Sequence, residues 1–317
     1  MSAQLKTETP SLLPQKLVFE KSTLRSDASC SKSLPLGVSL SKKGEVNTLV
    51  LAPGQCLVLD PVEIFFSGKE KKQLRILLGE SARLTLIERH AFAVPQDIEM
   101  HIELAAHAKF VHGQIISIKK ETANKARISV DLAKGAFYDS FVFVAGAPSV
   151  QREVVVNLRG ELANARLLGA QVLSGSAKTK IRWQVRHLAP HGESRQVLKT
   201  VLHDLAQSAF EGQIYVAKEA QKTDGYQLSR TLLLSDKAGM ETKPELEIYA
   251  DDVKCSHGST IGALDEDALF YLRSRGIKKE DARRMLVQAF INKIVDQIQS
   301  EELGLAVREE MEKETRL

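Results

Sequence analysis

Between about residue 45 and residue 250, the chain alternates between apolar and polar residues with a period of two. The segments ARLTLIER, DIEMHIELA and ARISVDLA alternate, whereas REVVVNL is almost continuously apolar. Both kinds of short run are typical of β-strands. Turn-like breaks separate the runs, and no long helical pattern lies between them. The pattern predicts a mainly β fold and disfavours a sheet built from alternating strands and helices.

A leucine followed closely by alanine or glycine recurs in steps of roughly 26 to 30 residues, a period range that is typical of solenoids. The small residue is expected at a tight corner, where only small side chains clear the neighbouring coil. A propeller would need a period near ~40 to 45 residues, and leucine-rich repeats would need asparagine or cysteine ladders. The repeat favours a β-solenoid, with a sandwich or an irregular all-β fold as alternatives. The repeated positions are Leu51-Ala52, Leu78-Gly79, Leu104-Ala105, Leu132-Ala133, Leu158 with Gly160, and Leu188-Ala189.

Near residue 262 the pattern becomes helical. LDEDALFYLRSRG predicts a first helix with Asp265 as N-cap and Gly276 as the residue after its end. SEELGLAVREEMEKETRL predicts a third helix with Ser300 as N-cap. Between them, KKEDARRMLVQAFINKIVDQI predicts a second helix, because apolar residues recur at three and four. The stripe consists of Ala282, Met285, Leu286, Ala289, Phe290 and Ile294.

These patterns divide the chain into three parts. Residues 1–35 are a short N-terminal lead-in that contains a strand at KLVFE, residues 36–262 are the β body, and residues 263–317 are a small helical domain. One face of the helical domain is expected to pack on the body. A second apolar face would then be free for a partner.

Composition and charge exclude several classes of protein. The net charge of +4, from 44 basic and 40 acidic residues, is too small to argue for nucleic acid. No apolar run approaches the ~18 residues of a membrane span, and MSAQLKTETPSLLPQK lacks the apolar region of a signal peptide. The three cysteines, Cys30, Cys56 and Cys255, are scattered and suit a reducing compartment. We therefore expect a cytoplasmic protein that binds neither nucleic acid nor membrane.

The common catalytic motifs are absent from the sequence. There is no G-x-x-x-x-G-K-[ST] loop, no dinucleotide fingerprint, no G-x-S-x-G elbow and no H-E-x-x-H motif. His90, His101, His107 and His112 lie in or near predicted strands. We interpret them as polar residues on a solvent-facing surface.

The segment CSHGST, residues 255–260, contains the strongest candidate for chemistry. In a strand, residues two apart point to the same side, so that Cys255 and His257 would share a face. The pair is then half of an iron–sulfur or zinc site, a nucleophile with its base, or two structural side chains. A closed metal site needs about four ligands, so the other ligands would come from elsewhere, such as a second subunit.

The stretch from Lys243 to Ile277 contains KPELEIYADDVKCSHGST and LDEDALFYLRSRGI. It resembles the SufB–SufD family of iron–sulfur cluster assembly scaffolds, and the resemblance extends from residue 36 to the C-terminus. The resemblance implies a right-handed parallel β-helix with C-terminal helices that bind SufC, an ABC-type ATPase. It also implies a non-catalytic scaffold, since the nucleotide site then belongs to SufC.

Within the family, the chain resembles the SufD branch rather than SufB. SufB-type sequences carry a cysteine in the segment that matches Ser235 to Pro244, and the chain has none there. The lead-in before the β body is shorter than in many SufD proteins. The resemblance implies that Cys255 and His257 lie at an interface with SufB, formed at the C-terminal end of the β-helix. His257, with or without Cys255, would then contribute to a transient iron–sulfur cluster shared with SufB.

The resemblance also implies a reduced flavin, FAD, in the assembled complex and allows a homodimer of the isolated chain. The expected SufC-binding residues are Leu269, Phe270, Leu272, Arg273, Arg275, Gly276, Met285 and Phe290. One alternative is a self-paired scaffold that builds a cluster alone. The other is a carbohydrate-active enzyme on a β-solenoid, which would need clustered acids along one sheet face.

Overall fold

A computed structural model describes residues 15–20, 23–26, 38–66, 71–90, 95–118, 123–146 and 149–314. The helices are α1 (Glu266–Ser274), α2 (Lys279–Val295) and α3 (Glu301–Glu314). The strands are β1 (Gln15–Glu20), β2 (Thr23–Ser26), β3 (Val38–Lys43), β4 (Val46–Leu51), β5 (Cys56–Phe66), β6 (Lys72–Leu78), β7 (Arg83–His90), β8 (Gln96–Leu104), β9 (Lys109–Ile118), β10 (Ala123–Leu132), β11 (Phe137–Gly146), β12 (Ser149–Leu158), β13 (Asn164–Leu173), β14 (Lys178–His187), β15 (Glu193–Leu202), β16 (Gln207–Val216), β17 (Asp224–Leu233), β18 (Gly239–Ile248) and β19 (Lys254–Gly262).

Within this part of the chain, the strands form two sheets. Sheet A has the order β2-β1-β5-β7-β9-β11-β13-β15-β17-β19, and sheet B has the order β3-β4-β6-β8-β10-β12-β14-β16-β18. From β4 onward the chain crosses from one sheet to the other at every corner, and neighbouring strands within each sheet are parallel. Two successive strands therefore make one coil of a parallel β-solenoid, as the repeat predicts. We call the space between the two sheets the lumen.

The repeated leucines form a stack at the ends of the sheet B strands. Register pairs Leu51 with Leu78, Leu78 with Leu104, Leu104 with Leu132, and Leu132 with Leu158. The prediction that Leu188 belongs to this stack is wrong by one position, because His187 pairs with Leu158. His187 is fully buried, and its Nε2 lies 2.8 Å from Ser194 Oγ. A hydrogen bond inside the lumen lets a histidine take a leucine position in this coil.

Small residues at this corner have the steric role that the repeat predicts. A Cβ atom added to Gly160 would lie 2.1 Å from the backbone nitrogen of Lys134 in the neighbouring coil. A Cβ atom on Gly79 would lie 2.6 Å from the nitrogen of Pro53. Real Cβ contacts are longer, so a larger residue at either position would push two coils apart.

The same corner repeats a left-handed backbone conformation in successive coils. Each residue there donates its backbone N–H to a carbonyl of the next coil, over 2.6–3.3 Å. Only two of the seven are glycine, although a left-handed residue with a Cβ costs about 1–2 kcal/mol. These hydrogen bonds between coils, which run along the solenoid axis, therefore hold the corner residues in the left-handed conformation. The residues are Gly54, Ser81, His107, Gly135, Leu162, His191 and Lys222.

Helices α2 and α3 pack on the outer face of sheet A. Leu168 and Ala170 of β13 are buried there against Val287 and Ile291 of α2 and Val307 of α3. This contact explains why β13 and β15 are buried at consecutive positions, whereas the strands of sheet B alternate. When one face of a strand points into the lumen and the other face packs against helices, few of its positions are exposed enough for polar residues.

The predicted apolar stripe of α2 is partly wrong. Ala282 and Ile294 are buried as expected, but Met285 is 45% exposed and Ala289 is also exposed. Val287 and Ile291 are buried in their place. The apolar residues of α2 are spread around most of its circumference. Periodicity alone therefore allows either of two faces to be the buried one. Contact with the flat surface of sheet A selects the face that carries the β-branched residues.

The predicted ends of the helices are confirmed. The Asp265 carboxylate accepts the backbone N–H groups of Asp267 and Ala268, each at 3.0 Å. Gly276 has a φ of +85° after the last turn of α1. The hydroxyl of Ser300 accepts the N–H of Leu303 at 3.2 Å. These caps satisfy backbone groups that a helix end leaves without partners.

The interpretation of His90 and His112 as solvent-facing residues is wrong. Both lie in the lumen on either side of Glu88, with Nε2 atoms 2.9 and 2.6 Å from its two carboxylate oxygens. Burial alone would raise the pKa of Glu88, but the two histidines hold it well below its ordinary value. Burial, together with the buried guanidinium of Arg152, lowers the pKa of His90 to about 4. The even spacing of these residues therefore marks the lumen face of their strands.

We predict that His187 makes the fold sensitive to acid. Burial lowers its pKa to about 4, against about 6.5 in the unfolded chain. Between these values the unfolded state binds more protons, so stability falls as the pH falls. His187 should cost about 2 kcal/mol of the free energy of unfolding between pH 7.5 and pH 5. Urea denaturation at the two pH values measures the total loss, to which the buried His90 also contributes. A variant without His187 isolates its share.

The matched variant combines His187→Leu with Ser194→Ala. These substitutions copy the preceding coil, where Leu158 and Ala165 occupy the same register positions. The variant should lose about 2 kcal/mol less than the wild type on acidification. An unchanged pH dependence would show that His187 is not the group responsible.

We predict that Leu162→Asn stabilises the protein. Leu162 has a φ of +60° and is 54% exposed, so its side chain adds strain and little burial. Asparagine tolerates this conformation better, which should add about 0.5–1 kcal/mol to the free energy of unfolding. Leu305→Asn is the control, since Leu305 is 62% exposed on helix α3 and asparagine lowers helix propensity there. A loss of stability in both variants would contradict the prediction.

Candidate functional site

The candidate site lies where the solenoid ends. β18 and β19 are the last strands of the two sheets, and within the described residues each pairs with a strand on one side only. Their outer edges therefore present unpaired backbone N–H and C=O groups. Large apolar side chains lie exposed beside these edges, namely Ile248 (38% exposed), Tyr249 (61%) and Ile261 (47%). An edge of this composition can accept a strand from another chain.

The register of β19 places Cys255, His257 and Ser259 on the lumen side of this end. Cys255 pairs with Gly225 and His257 pairs with Gln227, and both partners are buried in the lumen. Ser259 Oγ lies 2.8 Å from Thr242 Oγ1 of β18, so that a hydrogen bond joins the two terminal strands across the lumen. The prediction that Cys255 and His257 share one face is confirmed by this register.

Cys255 is a half-buried thiol. It packs beside a small apolar cluster with Ile214 and Leu246, and its Sγ would lie 3.2 Å from a Cβ atom on Gly225. Burial raises the pKa of the thiol, and the carboxylate of Asp224 adds to this effect. The thiol is therefore protonated at neutral pH, and it would have to lose a proton before it could bind a metal ion.

His257 is exposed at the open end. Within the described part of the chain, neither of its ring nitrogens has a hydrogen-bond partner. The neutral ring can therefore donate one hydrogen bond and offer one lone pair to a new partner. The described residues contain no group of three or more histidine, cysteine, aspartate or glutamate side chains that could hold a metal ion. Cys255 and His257 supply at most two ligands, and a complete site would need further ligands from elsewhere.

The predicted partner-binding residues are divided between surface and interior. Phe270 is 72% exposed, and Tyr271, which the sequence analysis missed, is 56% exposed beside it. Arg275 donates to the Tyr271 hydroxyl at 2.9 Å, and its guanidinium lies over the Tyr271 ring. Leu269 is buried, whereas Met285 is exposed. The remaining predicted positions are Arg273 and Gly276, which are exposed, and Leu272 and Phe290, which are half-buried.

A short connection joins the two candidate surfaces. β19 ends at Gly262 and α1 begins at Glu266. A cavity of about 470 Å³ lies beneath this connection, lined by Ile261 and Leu264 on one side and by Leu269 and Arg283 on the helices. The terminal strand and the exposed surface of α1 are therefore separated by a few residues of chain over a partly open space.

None of the helices in the described residues is long and apolar enough to cross a membrane.

Comparison with known proteins identifies the architecture. Residues 67–290 match the family described as the SufBD core domain of the SUF system for iron–sulfur cluster assembly. The iron–sulfur cluster assembly protein SufD of Escherichia coli is 34% identical over 232 residues, which cover 71% of this chain and 54% of that protein. A SufBD family protein of Synechocystis is 32% identical over 253 residues, covering 76% of this chain and 55% of that protein.

A chloroplastic protein of Arabidopsis thaliana, ABCI7, is 44% identical over 290 residues, which cover 84% of this chain and 60% of that protein. The chain therefore spans little more than half of the length of these three relatives. The family match covers more than half of the chain and includes every strand from β6 to β19. The chain belongs to the SufBD core-domain family of the SUF iron–sulfur cluster assembly system.

Proposed function

We propose that the chain is a SufD-type scaffold subunit in iron–sulfur cluster assembly, without catalytic activity of its own. In this proposal it pairs with a SufB-type partner through the open end of the solenoid and docks a SufC-type ATPase on its helices. It contributes His257 to a site for the nascent cluster, which is the cargo of the complex. The observation that carries the proposal is the exposed His257, which has no hydrogen-bond partner among the described residues and lies on the last strand of a family member.

The open end supports the pairing with SufB. Unpaired edges on β18 and β19 can each extend a sheet into a second solenoid, because parallel strands add by backbone hydrogen bonds. Ile248, Tyr249 and Ile261 add apolar area around the edges. Large exposed apolar residues that surround unpaired backbone are typical of an interface. Pairing would also bring the partner's ligands to His257.

In this proposal the two predicted ligands have different roles. The exposed His257 can bind iron through a ring nitrogen without breaking an existing hydrogen bond. Cys255 would need to leave its apolar contacts and lose a proton, both of which cost free energy. His257 is therefore the proposed ligand, and Cys255 is a packed thiol that supports the position of β19.

The helices support the docking of an ATPase. Phe270 and Tyr271 form an exposed aromatic pair on α1, and Met285 is exposed on the neighbouring helix α2. Aromatic residues and methionine are enriched at protein interfaces, and an amphipathic helix can insert such residues into a groove. The sequence has no phosphate-binding loop, so in this proposal nucleotide hydrolysis belongs to the partner.

A self-paired scaffold is the second candidate, because an unpaired edge can also accept a copy of itself across a two-fold axis. Co-purification from native lysate, with the subunit ratio measured, distinguishes the two candidates. The carbohydrate-active enzyme has less support. Most of the acids along sheet B lie in ion pairs, such as Glu103 with Arg75 and Glu211 with Lys180, whereas a glycosidase needs two carboxyl groups placed for catalysis.

We predict that His257→Ala lowers the yield of cluster formed by the reconstituted complex at least about tenfold, because one metal ligand is lost. The yield is measured by visible absorbance after supply of iron and sulfide. Cys255→Ala should keep most of the yield. His191→Asn is the control, since His191 is exposed at a corner and asparagine accepts its φ of +59°. Wild-type yield in His257→Ala would exclude His257 as a ligand.

We predict that Phe270→Asp abolishes capture of the ATPase and leaves capture of the SufB-type partner unchanged. Loss of an aromatic anchor costs about 2 kcal/mol or more of binding free energy, which is about thirtyfold in affinity. Pull-down with the purified partners measures both effects. Leu305→Asp, at an exposed leucine of α3, is the matched control. Retention of the ATPase by Phe270→Asp would place its docking surface elsewhere.

A further inference from the structure

An elongated groove crosses sheet B at the corner where the chain enters it from sheet A. It is formed by the first residues of five neighbouring strands, β10, β12, β14, β16 and β18, and its volume is about 720 Å³. Five strands at a spacing of about 4.8 Å give the groove a length of about 19 Å. A concave site of this volume is large enough for a small molecule.

The rim of the groove is positively charged. Lys125, Lys178 and Lys180 line it, against one acidic residue, Glu241. Register places Lys125 and Lys180 in one row, with Gln151 between them, so that they are about 10 Å apart. Lys180 pairs with a carboxylate outside the groove. Among the described residues, no acidic side chain forms an ion pair with Lys125 or Lys178, which leaves both charges available.

The floor of the groove contains buried polar groups. Thr179 and Ser208 are each 5% exposed, and their hydroxyls are 2.8 Å apart. Asn124 is 2% exposed and also lines the groove. Its carbonyl oxygen has no hydrogen-bond partner among the described residues, but the atom is itself buried and does not face the open space of the groove. The Asn124 amide nitrogen lies 3.4 Å from His90 Nδ1.

Apolar side chains separate these polar groups. Val150, Ala209 and Met240 also line the groove. The combination of a cationic rim and an apolar wall defines the chemistry of a ligand. Such a ligand carries an anionic group for the lysines and an apolar body for the wall.

We propose that this groove binds a small anionic molecule with an apolar body, such as a carboxylate, a sulfonate or a phosphate ester. The lysines hold the anionic group, and Val150, Ala209 and Met240 contact the apolar body. The site shares no residue with CSHGST or with the exposed surface of α1. The proposal is therefore independent of the role in cluster assembly.

The first experiment titrates the full chain with anilinonaphthalene sulfonate, which carries a sulfonate, an N–H group and apolar rings. Fluorescence should report one saturable site. The double variant Lys125→Gln with Lys178→Gln should bind about tenfold more weakly at low salt, because two charges near the anion are lost. Lys109→Gln with Lys218→Gln removes the same charge at exposed positions outside the groove and should bind like the wild type.

The second measurement follows side-chain amides of ¹⁵N-labelled asparagine during the same titration. The Asn124 resonance should shift on saturation, whereas that of Asn292 on α2 should not. The proposal is overturned if no saturable binding is found, if both double variants bind equally well, or if the Asn124 resonance does not move. A loss of binding in the first double variant together with a shift at Asn124 supports it.

Discussion

The parallel backbone ladder is the interaction on which the rest of this structure depends. Each strand exchanges backbone hydrogen bonds with the strands of the preceding and following coils, and the left-handed corner adds one more hydrogen bond to the next coil at each step. Such a ladder has no internal reason to end, because each added coil creates the same edge again. The last coil of a solenoid therefore has unpaired edges, which another chain or another element must cover. In this molecule CSHGST lies in β19, the last strand of that coil.

The two sheets have different surroundings, and this difference separates their roles. Sheet A is covered on its outer face by α2 and α3, so that its central strands are buried on both faces. Sheet B presents charged rows to solvent, where acids and bases on neighbouring coils form ion pairs. The helical domain is therefore anchored on one side of the solenoid only. Its exposed aromatic surface on α1 extends beyond the part that packs on sheet A.

Much of the fold follows from the sequence, because the repeat reports directly on the stacking of coils. The period, the small corner residues, the caps at Asp265 and Ser300, and the shared face of Cys255 and His257 are local properties. The sequence does not predict the burial of His90 and His112, because alternation does not show which face of a strand points into the lumen and which points to solvent. A lumen normally excludes charge, and only the three-dimensional contact with Glu88 explains why these histidines lie there.

The structure also shows what pattern reasoning could not supply. Periodicity gave two possible buried faces for α2, and only contact with sheet A decides between Met285 and Val287. The left-handed residues at the corner are invisible in the sequence, since Leu162 and Lys222 carry no signal of such a backbone. The hydrogen bond between Thr242 and Ser259 likewise depends on register between two sheets that no local pattern specifies.

The connection between β19 and α1 decides how the two proposed surfaces could influence each other. Only three residues separate Gly262 from Glu266. Because this connection is short, a movement of α1 caused by a bound partner would be transmitted to β19. The cavity beneath the connection, between Ile261 and Arg283, leaves room for such a displacement. A partner can shift this arrangement only by binding one position of α1 more tightly than another. Coupling between the helices and His257 then requires that the position of β19 changes with that of α1. The hydrogen bond between Ser259 and Thr242 opposes such movement, because it connects β19 to β18 of the other sheet.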